Sequence, residues 1–150
     1  PAAAPAAPAP ALEARAYRSG GRAYAALTVP AGVAIEAPFA GRVEVRSYQF
    51  IEGQVRIGAN VPSLPYFPYV VVRAGDRVLT LRPGALGTDA EVLVNDGATV
   101  AAGTPLVRVT GDGPSSWRTF YDRTVEAQVI ASLTTPGGSD LDAVALFARH

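Results

Sequence analysis

Carboxylates and arginines carry nearly all the chemistry available to this chain. There are 13 acidic and 13 basic residues, so the formal net charge is zero, and every cation is an arginine. A pair of carboxylates would suit general acid–base cleavage of a glycosidic bond. Glu36, Glu44, Glu52, Asp76 and Asp96 fall at turns or on alternating strand faces. Two of them would have to converge across the fold, and their order along the chain does not specify that. Asp140 and Asp142 flank an expected helix start, where capping and the helix dipole account for both. Asn95-Asp96-Gly97 offers oxygen ligands for calcium, but no further aspartate follows at EF-hand spacing, so a tight turn is the better reading. Gly111-Asp112-Gly113 lacks the lysine and the following helix of a phosphate loop.

Absent residues exclude more. Cysteine, lysine and methionine are missing, and the single histidine is His150, the last residue. No disulfide, thiolate zinc site or cysteine nucleophile can form. No lysine can carry a Schiff base, biotin or lipoate. A multi-histidine metal site is impossible, and a Ser-His-Asp triad would have to recruit His150. Zero net charge argues against a nucleic-acid partner, which requires a basic footprint. No apolar run reaches the ~18 residues of a membrane span, and the start of the chain shows no export signal. No catalytic residue, metal ligand or cofactor site is therefore assigned, and the expected activity is non-enzymatic.

Three regions follow from the composition along the chain. Residues 1–22 form a proline-alanine-rich extended arm and linker, 23–135 a β domain, and 136–150 a turn and short helix. Pro1, Pro5, Pro8 and Pro10 stand among alanines only, a composition that gives a semi-extended segment. It serves either as a linker or as an arm laid along a neighbour. Ala11 to Arg18 reads as a short helical turn ended by Gly20-Gly21. Strands are expected at Tyr24–Val29, Val33–Ile35, Arg42–Arg46, Gln54–Ile57, Tyr69–Arg73, Arg77–Leu81, Glu91–Val94, Leu106–Thr110, Thr119–Tyr121 and Thr124–Leu133. Period-two alternation and the Gly, Asn and Pro turns between them carry this reading. Gly111 to Ser116 reads as a loop, and a final helix at Asp140–Ala148 is capped by Ser139. Short strands at close spacing make an all-β barrel or sandwich.

Two segments have more specific turn chemistry: Ile35-Glu36-Ala37-Pro38-Phe39-Ala40-Gly41-Arg42-Val43, and Val94 to Leu106 with Gly97, Val100 and Gly103 between. Together they resemble the barrel-sandwich hybrid fold of biotinyl and lipoyl carrier domains, membrane-fusion adaptors and lysostaphin-type zinc endopeptidases. The likeness spans about Val29 to Val109. It implies a small barrel, with glycines giving positive φ at tight turns and valines filling the interior. The carrier role needs a lysine that is absent. The peptidase role fits Tyr69–Val72 and Val78–Leu81 as a central hairpin. Its His-x-His position holds Trp117-Arg118-Thr119-Phe120-Tyr121 instead, and Arg22 to Ile35 offers no upstream His or Asp ligand. Such a chain resembles the ligand-less members that regulate cell-wall amidases.

Two clusters remain as contact surfaces. Val61 to Tyr69 concentrates prolines with Leu64, Tyr66, Phe67 and Tyr69; rigid aromatics suit an interface anchor, or the segment covers one barrel end. Trp117 with Arg118 forms either a second contact or a plug. The expected function is that of a structural subunit, a decoration or accessory protein of a viral particle or comparable assembly, in the virion or cytoplasm. Its partners are protein subunits in a homo-oligomer or capsid-like lattice. The alternative is an inactive lysostaphin-type domain at the bacterial cell envelope.

Overall fold

Alternation of β-branched and polar residues dictates strands almost everywhere in this chain. The computed structural model describes residues 12–30, 32–51, 54–64, 66–83, 90–109, 115–117, 125–127 and 129–147. The strands are β1 (Glu13–Ser19), β2 (Arg22–Thr28), β3 (Ala34–Glu36), β4 (Gly41–Ile51), β5 (Gln54–Ile57), β6 (Phe67–Arg73), β7 (Val78–Pro83), β8 (Ala90–Val92), β9 (Thr99–Val100), β10 (Pro105–Val109), β11 (Ser115–Trp117), β12 (Val125–Ala127) and β13 (Val129–Thr134). One helix, α1 (Ala143–Phe147), follows. The fold is all-β with a short C-terminal helix.

Eight strands form the main antiparallel sheet, in the order β1-β2-β13-β7-β6-β4-β5, with β9 also on β4. β13, late in the chain, lies between β2 and β7. A second sheet runs β3-β10-β8, and β11 pairs with β12. The chief core lies between the first two sheets. Leu27, Val43, Val70, Val72, Leu79 and Leu81 meet Ile35, Leu106, Val107 and Val109, with Phe147 of α1 joining them. The register sends Val70 and Val72 inward and leaves Tyr69 and Val71 on the opposite face, as the two-residue period requires. That second face is also covered in part, since Ala127 of β12 packs on Tyr17, Ala26 and Ile130.

The structure departs from the sequence reading at five places. The single strand expected at Thr124–Leu133 is two, β12 and β13, in different sheets. The main sheet does not close into a barrel; its path ends at β1 and β5. β5 offers four residues against the seven of β1, and Arg15 and Arg18 stand exposed on β1, so the two ends are poorly matched for pairing. Residues 13–19 are a strand, not a helical turn, because Gly20 and Gly21 (φ 58° and 77°) make a two-residue hairpin. Positive φ at both centres is what a type I′ turn needs. The helix starts at Ala143, and its cap is Asp142, whose Oδ1 accepts the Ala145 N–H at 3.0 Å. Asp140 is engaged elsewhere: it bridges Thr134 and accepts from Arg22 and Ala23, keeping the chain extended to that point. Ser115 and Ser116 belong to β11 and not to a loop. The expected strand at Thr119–Tyr121 lies outside the described residues.

The two turn-rich segments come together. Ala37 and Thr104 are joined through Ala37 N–H to Thr104 O at 2.8 Å, and Gly103 N–H returns to Ala37 O at 2.8 Å. Val43 exchanges bonds with Gly97 and Ala98, both at 2.8 Å. Gly97 and Gly103 have φ of 85° and 90°. Gly41 is needed for a different reason: a Cβ there would lie 2.6 Å from the Arg73 carbonyl oxygen, so only glycine lets β4 approach β6 this closely.

Candidate functional site

The end of the main sheet at β4 and β5 holds the proline-aromatic segment in place. Its central residue is Gln49, fully buried on β4 and the sole buried polar side chain among the described residues. Its Nε2 donates to the carbonyl oxygens of Val61 and Leu64, at 2.9 and 3.0 Å. Its Oε1 accepts the Val61 N–H at 2.8 Å. One amide thus uses both donors and its acceptor to fix a turn whose backbone would otherwise lose solvent without compensation. Leu64 N–H closes the same turn on Val61 O at 3.2 Å. Tyr66 is anchored at its far end, its hydroxyl donating to Asn60 Oδ1 at 2.5 Å.

On the opposite face of the sheet from Gln49 an aromatic row crosses the strands. Phe67 and Ile57 lie directly opposite Tyr48 on its two sides. The Tyr48 ring sits 5.8 Å from Phe67 and 6.0 Å from Tyr69, separations at which tilted rings attract. Tyr48 O–H donates to Pro83 O at 2.8 Å, and burial pushes its phenol well above the usual range. Ile57 ends the row and remains 56% exposed, while Tyr66 is 49% exposed. These are the two large apolar residues most open to solvent among the described residues. A charged group lies alongside on the same sheet face. Arg73 Nε donates to Glu44 at 2.7 Å, and Arg46 reaches the same carboxylate at 3.6 Å. The Arg73 bond, first among its causes, holds the Glu44 carboxyl below the ordinary carboxylate range.

The sequence-derived contact residues therefore separate into groups. Tyr66 is exposed at the surface, Leu64 and Phe67 are half-buried, and Tyr69 is buried in the aromatic row. Trp117 lies on β11 opposite Val125, in the separate two-stranded ladder. Pro1, Pro5, Pro8, Pro10 and Arg118 lie outside the described residues. Ile57 and Gln49 were not legible. Alternation in Gln54–Ile57 marks Ile57 as inward-facing, and a lone glutamine after an alternating run carries no signal of burial.

Elsewhere, Asp140 joins the C-terminal segment to β2. It accepts Ala23 N–H at 3.0 Å and Arg22 Nε at 3.1 Å, and these contacts, the backbone bond first, hold its carboxyl low. Among the described residues no group of three or more His, Cys, Asp or Glu side chains is placed to hold a metal ion. No helix among them is long and apolar enough to cross a membrane. Compared with protein-family models, curated proteins and solved structures, this chain matches none.

Proposed function

We propose that this chain is a non-catalytic structural subunit of a large protein assembly, such as a decorated viral particle, and binds neighbouring subunits through Ile57, Tyr66 and the 58–66 loop. The supporting observation is the Gln49 clamp. It fixes the turn at Val61–Leu64, between the exposed Ile57 at the end of β5 and the exposed Tyr66. Rigid side chains lose little entropy when a partner covers them, so more of their burial appears as affinity. Tyrosine is enriched at the centres of interfaces for this reason. The native mass tests the reading: a large symmetric complex is the expected result, and a lone 15.5 kDa chain would overturn it. Tyr66→Ala and Ile57→Ser should each lower incorporation while leaving the thermal transition in place.

A second reading has its own support in the pairing of Ile35–Val43 with Gly97–Thr104. That arrangement suits the barrel-sandwich resemblance, and with it a zinc-free relative of lysostaphin-type domains acting at the cell wall. Co-sedimentation with purified peptidoglycan distinguishes the two: retention on the wall polymer favours the second.

A further inference from the structure

β1 ends the main sheet on one side, and among the described residues β2 is the only strand that pairs with it. Which backbone groups face outward follows from the hairpin. Ser19 and Arg22 flank the two-residue Gly20-Gly21 turn, so they exchange hydrogen bonds with each other. The pattern repeats at every second residue. Glu13, Arg15, Tyr17 and Ser19 therefore turn their N–H and C=O groups toward β2, and Ala14, Ala16 and Arg18 turn theirs away. The far side of β2 keeps the same phase: Ala25 and Leu27 stand opposite Ala131 and Val129 of β13, and the Ala23 N–H reaches Asp140. The outward N–H and C=O groups of Ala14, Ala16 and Arg18 have no hydrogen-bond partner among the described residues, and Ala16 and Arg18 are exposed.

We propose that this edge pairs with the β1 edge of a second copy of the chain, antiparallel across a two-fold axis at Ala16, so that the main sheet runs on from one chain into the other. The inference goes beyond the assembly reading and stands on different residues, since Ile57 and Tyr66 belong to the other end of the sheet.

The edge selects its own copy because it is complementary to itself, as a two-fold contact requires. With Ala16 facing the partner's Ala16, Ala14 faces the partner's Arg18 and Arg18 the partner's Ala14. Every outward N–H then meets an outward C=O. This register opposes the whole of β1, Glu13 to Ser19, to its copy. A slip of one residue would set outward-turned groups against inward-turned ones. A slip of two in one direction shortens the overlap to Glu13–Tyr17 and places Arg15 against the partner's Arg15, where like charges repel. A slip of two in the other direction shortens it to Arg15–Ser19 and carries Ala14 past the strand to the Gly20 turn. In the full register Arg15 stands opposite the partner's Tyr17 and Glu13 opposite the partner's Ser19, so no like charges meet directly. β5, at the other end of the sheet, has only four residues to offer against the seven of β1, which disfavours a head-to-tail pairing.

Sedimentation of the full chain across a concentration series, together with cysteine crosslinking, tests this. A dimer is expected for the unaltered chain. Ala16→Pro removes an N–H that faces solvent in the monomer, a position where an edge strand tolerates proline, and it breaks the intermolecular ladder at its axis. It should weaken the dimer about tenfold or more. The register is read separately. The chain has no cysteine, so Ala16→Cys introduces a single thiol. Opposed Cα atoms of a hydrogen-bonded pair lie ~5.5 Å apart, within disulfide range, whereas the two thiol-bearing positions of Ala14→Cys would lie roughly 14 Å apart along the strands. A mild oxidant should link the first variant into a covalent dimer and spare the second. A monomeric unaltered chain, undiminished association of Ala16→Pro, or linkage at position 14 in preference to 16 overturns the proposal. If Ala16→Pro fails to fold, the two cysteine variants still decide. A large native assembly insensitive to changes at position 16 removes this inference alone. A dimer lost with Ala16→Pro but unmoved by Ile57→Ser and Tyr66→Ala keeps it and removes the assembly reading.

Discussion

Two loops are fastened to β4 or to the segment leading into it by opposite means. Asn95–Thr104 is held by the main chain: Gly97 and Ala98 bond to Val43, and Gly103 and Thr104 to Ala37. The 58–66 loop is held chiefly by one side chain, Gln49. Main-chain fastening spreads over several bonds and survives most substitutions, provided the glycines remain. Side-chain fastening concentrates the same task in one amide. The first loop is thereby built into the core, with Val100 and Leu106 buried beneath it. The second presents Tyr66 outward, and its turn at Val61–Leu64 depends on a single residue.

The largest expected effect lies on the main-chain side. Gly41→Ala places a Cβ against the Arg73 carbonyl and Val72 Cγ1, and forcing β4 from β6 should cost roughly 3 kcal/mol in chemical denaturation. A loss under about 1 kcal/mol would mean that the strands separate easily and that the contrast between the loops is overstated. Next is Gln49→Leu, which keeps the volume and removes all three bonds to Val61 and Leu64. It should cost about 2 kcal/mol, and amide exchange should quicken in the 58–66 loop but not in 95–104. Uniform quickening in both loops would break the comparison.

Asp96→Ala sharpens it from the other side. Asp96 adds one side-chain bond, to Val45 N–H, to a loop already fastened by backbone. The expected loss is about 1 kcal/mol, smaller than at Gln49; an equal or larger loss would show that the side chain, not the backbone, fixes this loop too.

The smallest effect is acid sensitivity at Asp140, a third side-chain fastening. Its carboxyl is held low by Ala23 N–H and Arg22, so its contribution is present above the unfolded pKa and lost as pH falls through the lower folded value. Thermal stability should therefore decline below about pH 4. Asp140→Asn should lessen that decline by roughly 0.5 kcal/mol, the scale of an exposed pair. Identical melting profiles for both proteins from pH 2 to 6 would assign the acid loss to other carboxylates.

The same contrast explains what could be read from the residues. Strands such as β4, β6, β7 and β10 were legible because alternation records which face is buried. The Gly97 and Gly103 turns were legible because positive φ nearly forces glycine. Gly41 was recognised in its motif, but its reason is close approach and not backbone conformation. Gly20-Gly21 was misread as a helix stop, since two glycines after a mixed run end a helix as readily as they turn a hairpin. Gln49 was silent, and Asp140 was read as a helix cap, because a polar side chain's partner, 12 to 118 positions away, leaves no local pattern. The proposed contact surface was therefore half legible: Tyr66 was visible as an aromatic among prolines, while Ile57 and the clamp that holds the loop depend on tertiary placement.

The position of β13 between β2 and β7 has a consequence for how the molecule is made. β6 and β7 can pair as soon as their hairpin leaves the ribosome, with β4 added by local contacts. The β1–β2 hairpin, though synthesised first, has no place in the sheet until residues 129–134 arrive to bridge it to β7. Synthesis must therefore reach residue 134 before the β1–β2 hairpin can be docked. Long-range closure of this kind is slow, and during that interval β2 and β7 each wait with an open edge.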